Sequence, residues 1–293
     1  MELIIQGDRM QVVEGITAEY PYVLNRADGN ETAVPWHWHE EVEFSYVVRG
    51  KLRVTVAGRN YVFQPGEGFY INTNILHTME PADPQEGVYW YSYMFHPMFL
   101  SGHYKSVFET KYMSPILKNK RCDLIPFFGQ DVRQQQILQL LLQAEQLEEQ
   151  PGGEFRIRNI FSEIWLLLMG VIEASAESFR LTNPVNQERI QSMLTYIHRH
   201  YHEKITLEQI AAAAVVSKRE CLRCFQSCIQ KTPFEYLLDY RVQIAEKLLQ
   251  TTTLSITEIA LQTGFSNSAY FTKVFKALRK ISPSQYRKKN GLT

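Results

Sequence analysis

The sequence predicts a multidomain α+β protein in three parts: an antiparallel β-barrel or sandwich, a helical segment, and an all-α domain made of two helix-turn-helix units. Three observations predict it. From Glu41 to Phe95 apolar and polar residues alternate in short runs broken by turn signals, the pattern of antiparallel strands with one buried face. Two apolar-periodic stretches follow, separated by Pro151-Gly152-Gly153. The C-terminal part then states one pattern twice. Thr232, Pro233 and Tyr236 recur as Ser282, Pro283 and Tyr286, and Ser217, Arg223 and Phe225 as Asn267, Lys273 and Phe275, at an offset of 50. Leu207, Ile210 and Ala211 recur as Ile256, Ile259 and Ala260 at an offset of 49. The expected boundaries are 1–125, 126–183 and 184–293.

In the first part, Leu52-Arg53-Val54-Thr55-Val56 alternates as a strand and Ala57-Gly58-Arg59-Asn60 reads as its turn. His37-Trp38-His39 is followed by Glu43 and Gly50, and later by Pro65-Gly66 and His77. This arrangement resembles the first motif of the cupin fold and part of its second, with Pro81 standing where an asparagine is usual. The resemblance implies a cupin-like antiparallel barrel in which His37, His39, Glu43 and His77 are candidate ligands for a divalent metal. Imidazole and carboxylate suit iron, manganese, zinc or nickel. The plainer reading, with no cofactor and pocket or structural histidines, is preferred at this point. Aromatics crowd the same region: Trp36, Trp38, Phe44, Tyr46, Tyr70 and the run from Tyr89 to Phe95. On a strand, Trp90, Ser92 and Met94 face one side and Tyr89, Tyr91 and Tyr93 the other. Such platforms suit sugar stacking, but a barrel core is the preferred explanation.

The middle part reads as two helices, Val132 to Glu149 and Phe155 to Ser178. Ile137, Leu138, Leu141 and Leu142, then Ile160, Ile164, Trp165, Leu167, Leu168 and Val171, exceed what one helix face needs. Packing on the barrel would bury them. Leu181 to Asn186 reads as a linker. The longest apolar run, Ile164 to Ile172, is too short to cross a bilayer. Met1 to Met10, with Glu2 and Asp8, lacks a signal-peptide pattern. A cytoplasmic protein without membrane association is expected.

The net charge of zero hides an asymmetry: residues 184–293 hold 16 Lys and Arg against 8 Asp and Glu, and residues 1–183 hold 15 against 23. A basic C-terminal domain fits phosphate contact through counterion release. Cys221, Cys224 and Cys228, three of the four cysteines, lie on one helical face and read as buried small hydrophobes.

In each C-terminal copy a short helix, Thr206 to Ala213 or Ser255 to Gln262, precedes a tight turn and a polar N-cap, Ser217 or Asn267. Gly264 suits the left-handed conformation that stops the preceding helix. On the second helix of the first copy, Cys221, Cys224, Phe225 and Cys228 face inward and leave Arg219, Leu222 and Arg223 outward. In the second copy Phe271, Val274 and Phe275 face inward, leaving Ser268, Ala269, Thr272, Lys273 and Lys276 outward. Arginine and small polar residues near a helix N-terminus suit the major groove of double-stranded DNA. Phe234 to Gln250 reads as one connecting helix between the copies, rigid enough to hold the two reading helices about one DNA turn (roughly 34 Å) apart.

Ser255-Ile256-Thr257-Glu258-Ile259-Ala260-Leu261-Gln262-Thr263-Gly264-Phe265-Ser266, then Tyr270-Phe271-Thr272-Lys273-Val274-Phe275-Lys276, then Ser282-Pro283-Ser284-Gln285-Tyr286-Arg287 resemble the AraC/XylS family of bacterial transcription regulators, over Ile205 to Lys289. Gln230 and Lys280 depart from the family by standing where glycine is usual, Leu222 where a polar residue is, and Cys221 where leucine is. The resemblance implies a sequence-specific, one-component regulator, and dimerisation through the middle helices. It implies a small-molecule effector in the cupin-like barrel, with His37, Trp38, His39, Glu43, His77 and Trp90 as candidate contacts and a sugar or related metabolite as ligand. RNA polymerase is a further partner if the chain activates. Two rivals stand beside this reading, a metal-dependent cupin enzyme fused to a DNA-binding module and an effector-independent DNA-binding protein.

Overall fold

Strand alternation sets the layers of the N-terminal part. The computed structural model describes residues 13–29, 34–83, 85–119, 122–174 and 184–290. Its strands pair into two antiparallel sheets. The larger has the order β1 (Tyr22–Asp28), β8 (Tyr89–Phe95), β3 (Val42–Arg49), β6 (Gly68–Ile71), β9 (Leu124–Phe127). The smaller has the order β2 (Val34–His37), β7 (His77–Pro81), β4 (Leu52–Val56), β5 (Arg59–Phe63). Among the described residues no strand joins both, so the cupin-like architecture is built as two packed sheets. The β4–β5 turn is Ala57-Gly58, with φ of 48° and 76° and Val56 paired to Arg59. Two positive φ values match the right-handed twist of a two-residue hairpin. Arg59 and Asn60, expected in the turn, therefore begin β5.

The larger sheet is apolar on both sides because each side has its own neighbour. Val47 of β3, Phe69 and Ile71 of β6 and Trp90 of β8 pack against Leu52, Val54, Val56 and Phe63 of the smaller sheet. Val42, Phe44, Tyr93 and Phe95 point the other way, onto two helices, α3 (Val132–Leu147) and α4 (Gly153–Ala174). Ile137 and Leu141 of α3 and Phe161, Ile164, Trp165 and Leu168 of α4 complete that second core. Phe161 is fully buried against the rings of Tyr22, Phe44, Tyr93 and Phe95, and burying such a side chain contributes about 2–3 kcal/mol. A helix α1 (Met98–Ser101), a π-helical turn (Phe108–Met113) and α2 (Ser114–Leu117) link the larger sheet's strands β8 and β9. Packing on the sheet thus uses one face of the middle helices, while Leu142, Phe155 and Leu166 are exposed.

The chain divides into two compact units, Met1–Pro184 and Val185–Thr293. The second consists of α5 (Pro184–His200), α6 (Leu207–Ala213), α7 (Lys218–Cys228), α8 (Pro233–Thr251), α9 (Ile256–Gln262), α10 (Ser268–Arg279) and α11 (Pro283–Asn290). The expected linker is corrected here, because Pro184 opens α5 instead of ending a loop. Proline suits the first helical position, where its missing N–H is needed by nothing. Ile190, Met193, Leu194 and Ile197 give α5 its buried face at helical spacing. Leu181 to Asn183, the tail of the second middle helix expected beyond Ala174, and Met1 to Met10 lie outside the described residues. Among the described residues no helix is long and apolar enough to cross a membrane.

Candidate functional site

Each helix-turn-helix is fixed by its caps. Thr206 and Ser255 accept from the N–H groups of Gln209 and Glu258, which reach back to the cap N–H, so α6 and α9 both start with a capping box. Ser217 and Asn267 then cap α7 and α10, accepting from the N–H groups of Glu220 and Tyr270. The turns between the paired helices are left-handed at Val215 (φ 53°) and Gly264 (φ 81°). From these starts the reading helices present their expected faces. Cys221, Cys224, Phe225 and Cys228 are buried while Arg219, Leu222 and Arg223 are exposed. Phe271 and Phe275 are buried and Val274 is half-buried; Ala269, Lys273 and Lys276 are exposed, with Ser268 and Thr272 half-exposed beside them.

The two faces differ in how their cations are partnered. On α7 the Arg223 guanidinium donates to Glu220 at 2.6 and 2.8 Å, and Glu220 also takes Arg189 of α5 at 2.9 Å. The Arg223 hydrogen bonds hold the Glu220 carboxyl below its usual range. On α10, among the described residues, Lys273 and Lys276 make no ion pair. Arg279, one helix turn on, is turned inward to Glu246 (2.6 and 2.7 Å) and Asp239 (3.5 Å) of α8 and ties the helix to its connector. Burial pushes the Cys221 thiol up to about 11, consistent with a packing role for the cysteine stripe.

In the first unit, non-local pairing assembles a buried polar cluster. His37 of β2 and His77 of β7 are register partners, with ring centroids 4.0 Å apart. His39 follows β2, and Glu43 reaches in from β3 of the other sheet because its alternation places it opposite Val42 and Phe44. All four are buried. Each imidazole is anchored in the same way, its Nδ1 lying against a backbone carbonyl two residues away: Pro35 at 2.8 Å, Glu41 at 3.0 Å and Ile75 at 2.7 Å. A carbonyl only accepts, so Nδ1 carries the proton and Nε2 faces the cluster. Glu43 Oε1 accepts from the Ser45 hydroxyl at 2.8 Å and from the Ser92 hydroxyl, leaving Oε2 at 3.4 Å from His39 Nε2 and 3.5 Å from His77 Nε2. Burial, then His77 and His39, push the His37 imidazolium well down, which keeps that ring neutral. Burial alone would raise the Glu43 carboxyl, but His39 and His77 beside it hold it well below the usual range.

Of the other candidate contacts, Trp38 is buried, and Trp90 packs in the apolar core between the sheets. Sequence reasoning missed Ser45 and Ser92, although Ser45 is two residues from Glu43 and Ser92 shares the side of β8 assigned to Trp90. It also missed Glu220, whose capture of Arg223 was signalled by helical i, i+3 spacing. The donor set, three imidazoles and one carboxylate, fits a divalent transition metal, and among the described residues His39 Nε2 and His77 Nε2 are buried without a hydrogen-bond partner.

Residues 20–162 match the model of the AraC-like ligand binding domain and residues 210–289 that of a helix-turn-helix domain. An uncharacterized HTH-type transcriptional regulator of Bacillus subtilis, YdeC, is 28% identical over 98% of this chain and 99% of its own length. The lactose operon transcription activator of Staphylococcus xylosus is 24% identical over 82% of this chain and 81% of its own. Among solved structures, a ToxT of Vibrio cholerae is 15% identical and aligns with a TM-score of 0.47 over 92% of this chain and 98% of that one. The two domain models in sequence, together spanning most of the chain, place this protein in the AraC family of transcriptional regulators, with a ligand-binding domain ahead of its helix-turn-helix domain.

Proposed function

We propose that this regulator is a cytoplasmic homodimer, organised as a sensor over 1–125, a dimerisation segment over 126–183 and a DNA-binding domain over 184–293. It binds paired sites on double-stranded DNA with α7 and α10 and responds to a small metabolite, a sugar or related compound, held in the N-terminal unit. The observation that carries the DNA reading is the outward face of α10. Small Ala269 permits close approach of the backbone, and Lys273 and Lys276 are exposed without an acid partner among the described residues. Arg219, Leu222 and Arg223 offer the second reading surface, and Ser268 and Thr272 flank the first. An operator is recovered by selection from randomised duplexes and its variants are titrated. Lys273→Ala is expected to weaken specific binding by about 1–3 kcal/mol and to relax preference at one base position. An unchanged ranking of operator variants refutes base contact by Lys273.

The sugar reading draws support from the matching ligand-binding model, from the polar cluster of His37, His39, Glu43 and His77, with Trp38 between two of its histidines in sequence, and from the lactose operon regulation named for one relative. A ligand that binds only the native state raises the melting temperature by mass action. A shift with one sugar, absent with organic acids, is the expected result; a panel of sugars and sugar phosphates without any shift overturns the sugar class. Exposed Leu142, Phe155 and Leu166 are the faces available for subunit pairing, and RNA polymerase is the further partner when the regulator activates.

A further inference from the structure

We propose that Arg241 is a positioning residue of the DNA-binding unit: it fixes the second reading helix relative to the first and so sets the spacing of the two subsites that one protomer accepts. The proposal rests on the reading of α7 and α10 as the helices that contact DNA. Arg241 lies near the middle of α8 (Pro233–Thr251) and is 8% exposed. Among the described residues it has no carboxylate partner. Burial pulls its guanidinium below the usual range, opposed by Tyr270 at the start of α10. A charge held out of water with no opposite charge beside it costs stability. An apolar side chain of the same length would fill the space without that cost, so what the guanidinium adds is its reach.

It reaches both helix-turn-helix units at once. Nε donates to the Tyr201 carbonyl and Nη2 to the Glu203 carbonyl, each at 2.7 Å. Both carbonyls belong to the loop between α5 and α6, which leads into the first unit. The same guanidinium lies 5.8 Å from the centroid of the Phe265 ring, in reach of its face. It also flanks the turn between α9 and α10, where a Cβ on Gly264 would come within 2.9 Å of Nη2 and 2.5 Å of the Tyr201 oxygen. Phe265 carries the contact into α10, its ring 5.9 Å from that of Tyr270 and 5.1 Å from that of Phe271. The loop entering one reader and the turn entering the other therefore meet at one planar group, whereas Arg279 joins α10 only to α8. A rigid fork with two committed donors fixes an orientation as well as a distance. One base pair more or less between the subsites displaces one of them by about 3.4 Å and turns it by about 35° round the duplex. A tight joint rejects such a change and a loosened joint accepts it.

The test uses the full-length chain and an operator recovered by selection, its two subsites located by hydroxyl-radical footprinting. Duplexes with one base pair added or removed between the subsites are titrated, and the quantity read is the ratio of affinity at native spacing to affinity at altered spacing. The wild type is expected to lose about 10-fold or more on either change. Arg241→Met keeps the length and removes the charge and both donors; its ratio should fall below about 3. Arg241→Lys keeps the charge without the fork and should fall between the two. A smaller folded fraction scales every affinity alike and leaves the ratio where it was. A wild-type ratio in Arg241→Met therefore overturns the proposal, as does a wild type indifferent to spacing. Should Arg241→Met fail to fold by circular dichroism, Arg241→Lys decides: a reduced ratio supports the proposal and a wild-type ratio overturns it. Lys273→Ala tests the underlying reading separately, with weaker binding at every spacing and an unchanged ratio expected. No loss in Lys273→Ala removes the reader assignment and the proposal with it, whereas a loss there beside a wild-type ratio in Arg241→Met overturns the proposal alone.

Discussion

In the second helix-turn-helix unit the turn is made by Gly264; in the first, the same place is taken by Val215. Both are left-handed, at φ 81° and 53°. A β-branched residue there is strained, by about 1–3 kcal/mol. The two turns have opposite surroundings. Val215 is 93% exposed, so nothing selects against its side chain except the backbone. A Cβ on Gly264 would lie 2.5 Å from the Tyr201 carbonyl oxygen and 2.9 Å from Arg241 Nη2, whose guanidinium donates to Tyr201 and Glu203. The second turn is locked into the domain and the first is not. The charges follow the same division, with the α7 arginine held by Glu220 and the α10 lysines unpaired among the described residues. One fold is therefore compatible with a strained, self-occupied reader and a relaxed, available one.

The largest effect should come from exchanging the turns. Gly264→Val is expected to destabilise the C-terminal unit by about 3 kcal/mol or more, since left-handed strain and backbone clash add. Val215→Gly should stabilise it by about 1 kcal/mol, strain relief being offset by the entropy of glycine. All four tryptophans belong to the N-terminal unit, so urea unfolding of the full chain read by helical circular dichroism beside tryptophan fluorescence separates the two units. Equal losses from Gly264→Val and Val215→Ile would erase the distinction drawn between the turns.

Next in size is the difference between the readers. Lys273→Ala should cost the operator complex about 1–3 kcal/mol. Arg223→Ala should cost less than Lys273→Ala, because that guanidinium must first leave its exposed pair with Glu220. Glu220→Ala should then increase the contribution of Arg223, as a double-mutant cycle would report. Equal losses for both cations would make the readers equivalent. Smaller again are Gln230→Gly and Lys280→Gly. Both residues end their reading helices in the left-handed conformation, at φ 60° and 65°, and each replacement should stabilise by about 0.5–1 kcal/mol in the same unfolding experiment.

Much of this was legible because helical periodicity and capping are local. Ile210, Ala211, Phe225, Ile259, Ala260 and Phe275 are buried where their spacing places them, and Ser217 and Asn267 cap where they were expected to, while Thr206, Ser255 and Thr232 cap helices expected to start at, or two residues after, them. Alternation along β8 likewise put Ser92 on the inner side, where it meets Glu43, and Tyr93 on the outer, where its hydroxyl donates to Leu141. The rest depends on pairings that no window contains. His37 and His77 meet because β2 and β7 pair in one register, and Glu43 joins them from the other sheet. Pro184 was read through its turn chemistry, although Ile190, Met193, Leu194 and Ile197 carried the helical period that prevailed. The left-handed turn at Val215 contradicts its own propensity and is imposed by the helices it joins.

The finest difference between the units lies in how their first helices begin. The box on α6 closes with the neutral Gln209 and that on α9 with the carboxylate of Glu258. Hydrogen bonds from the Ser255 side chain and then its backbone hold the Glu258 carboxyl below its usual value. A group whose folded pKa is depressed contributes stability that is present above its unfolded pKa and lost as pH falls through the folded one. Acidification should therefore loosen the first turn of α9 through its box, whereas the box of α6 does not titrate and acid reaches that turn only through Glu208, whose bond from Lys218 holds its carboxyl below the usual value. Amide exchange at the N-termini of the two helices, followed from pH 7 down through the carboxylate range, reads this directly against intrinsic exchange rates. Glu258→Gln should abolish the response and Gln209→Glu should install it in the first unit. A parallel loss of protection in both helices of a Glu208→Gln variant would mean that acid acts on the domain as a whole, and that the cap carboxylate does not distinguish the units.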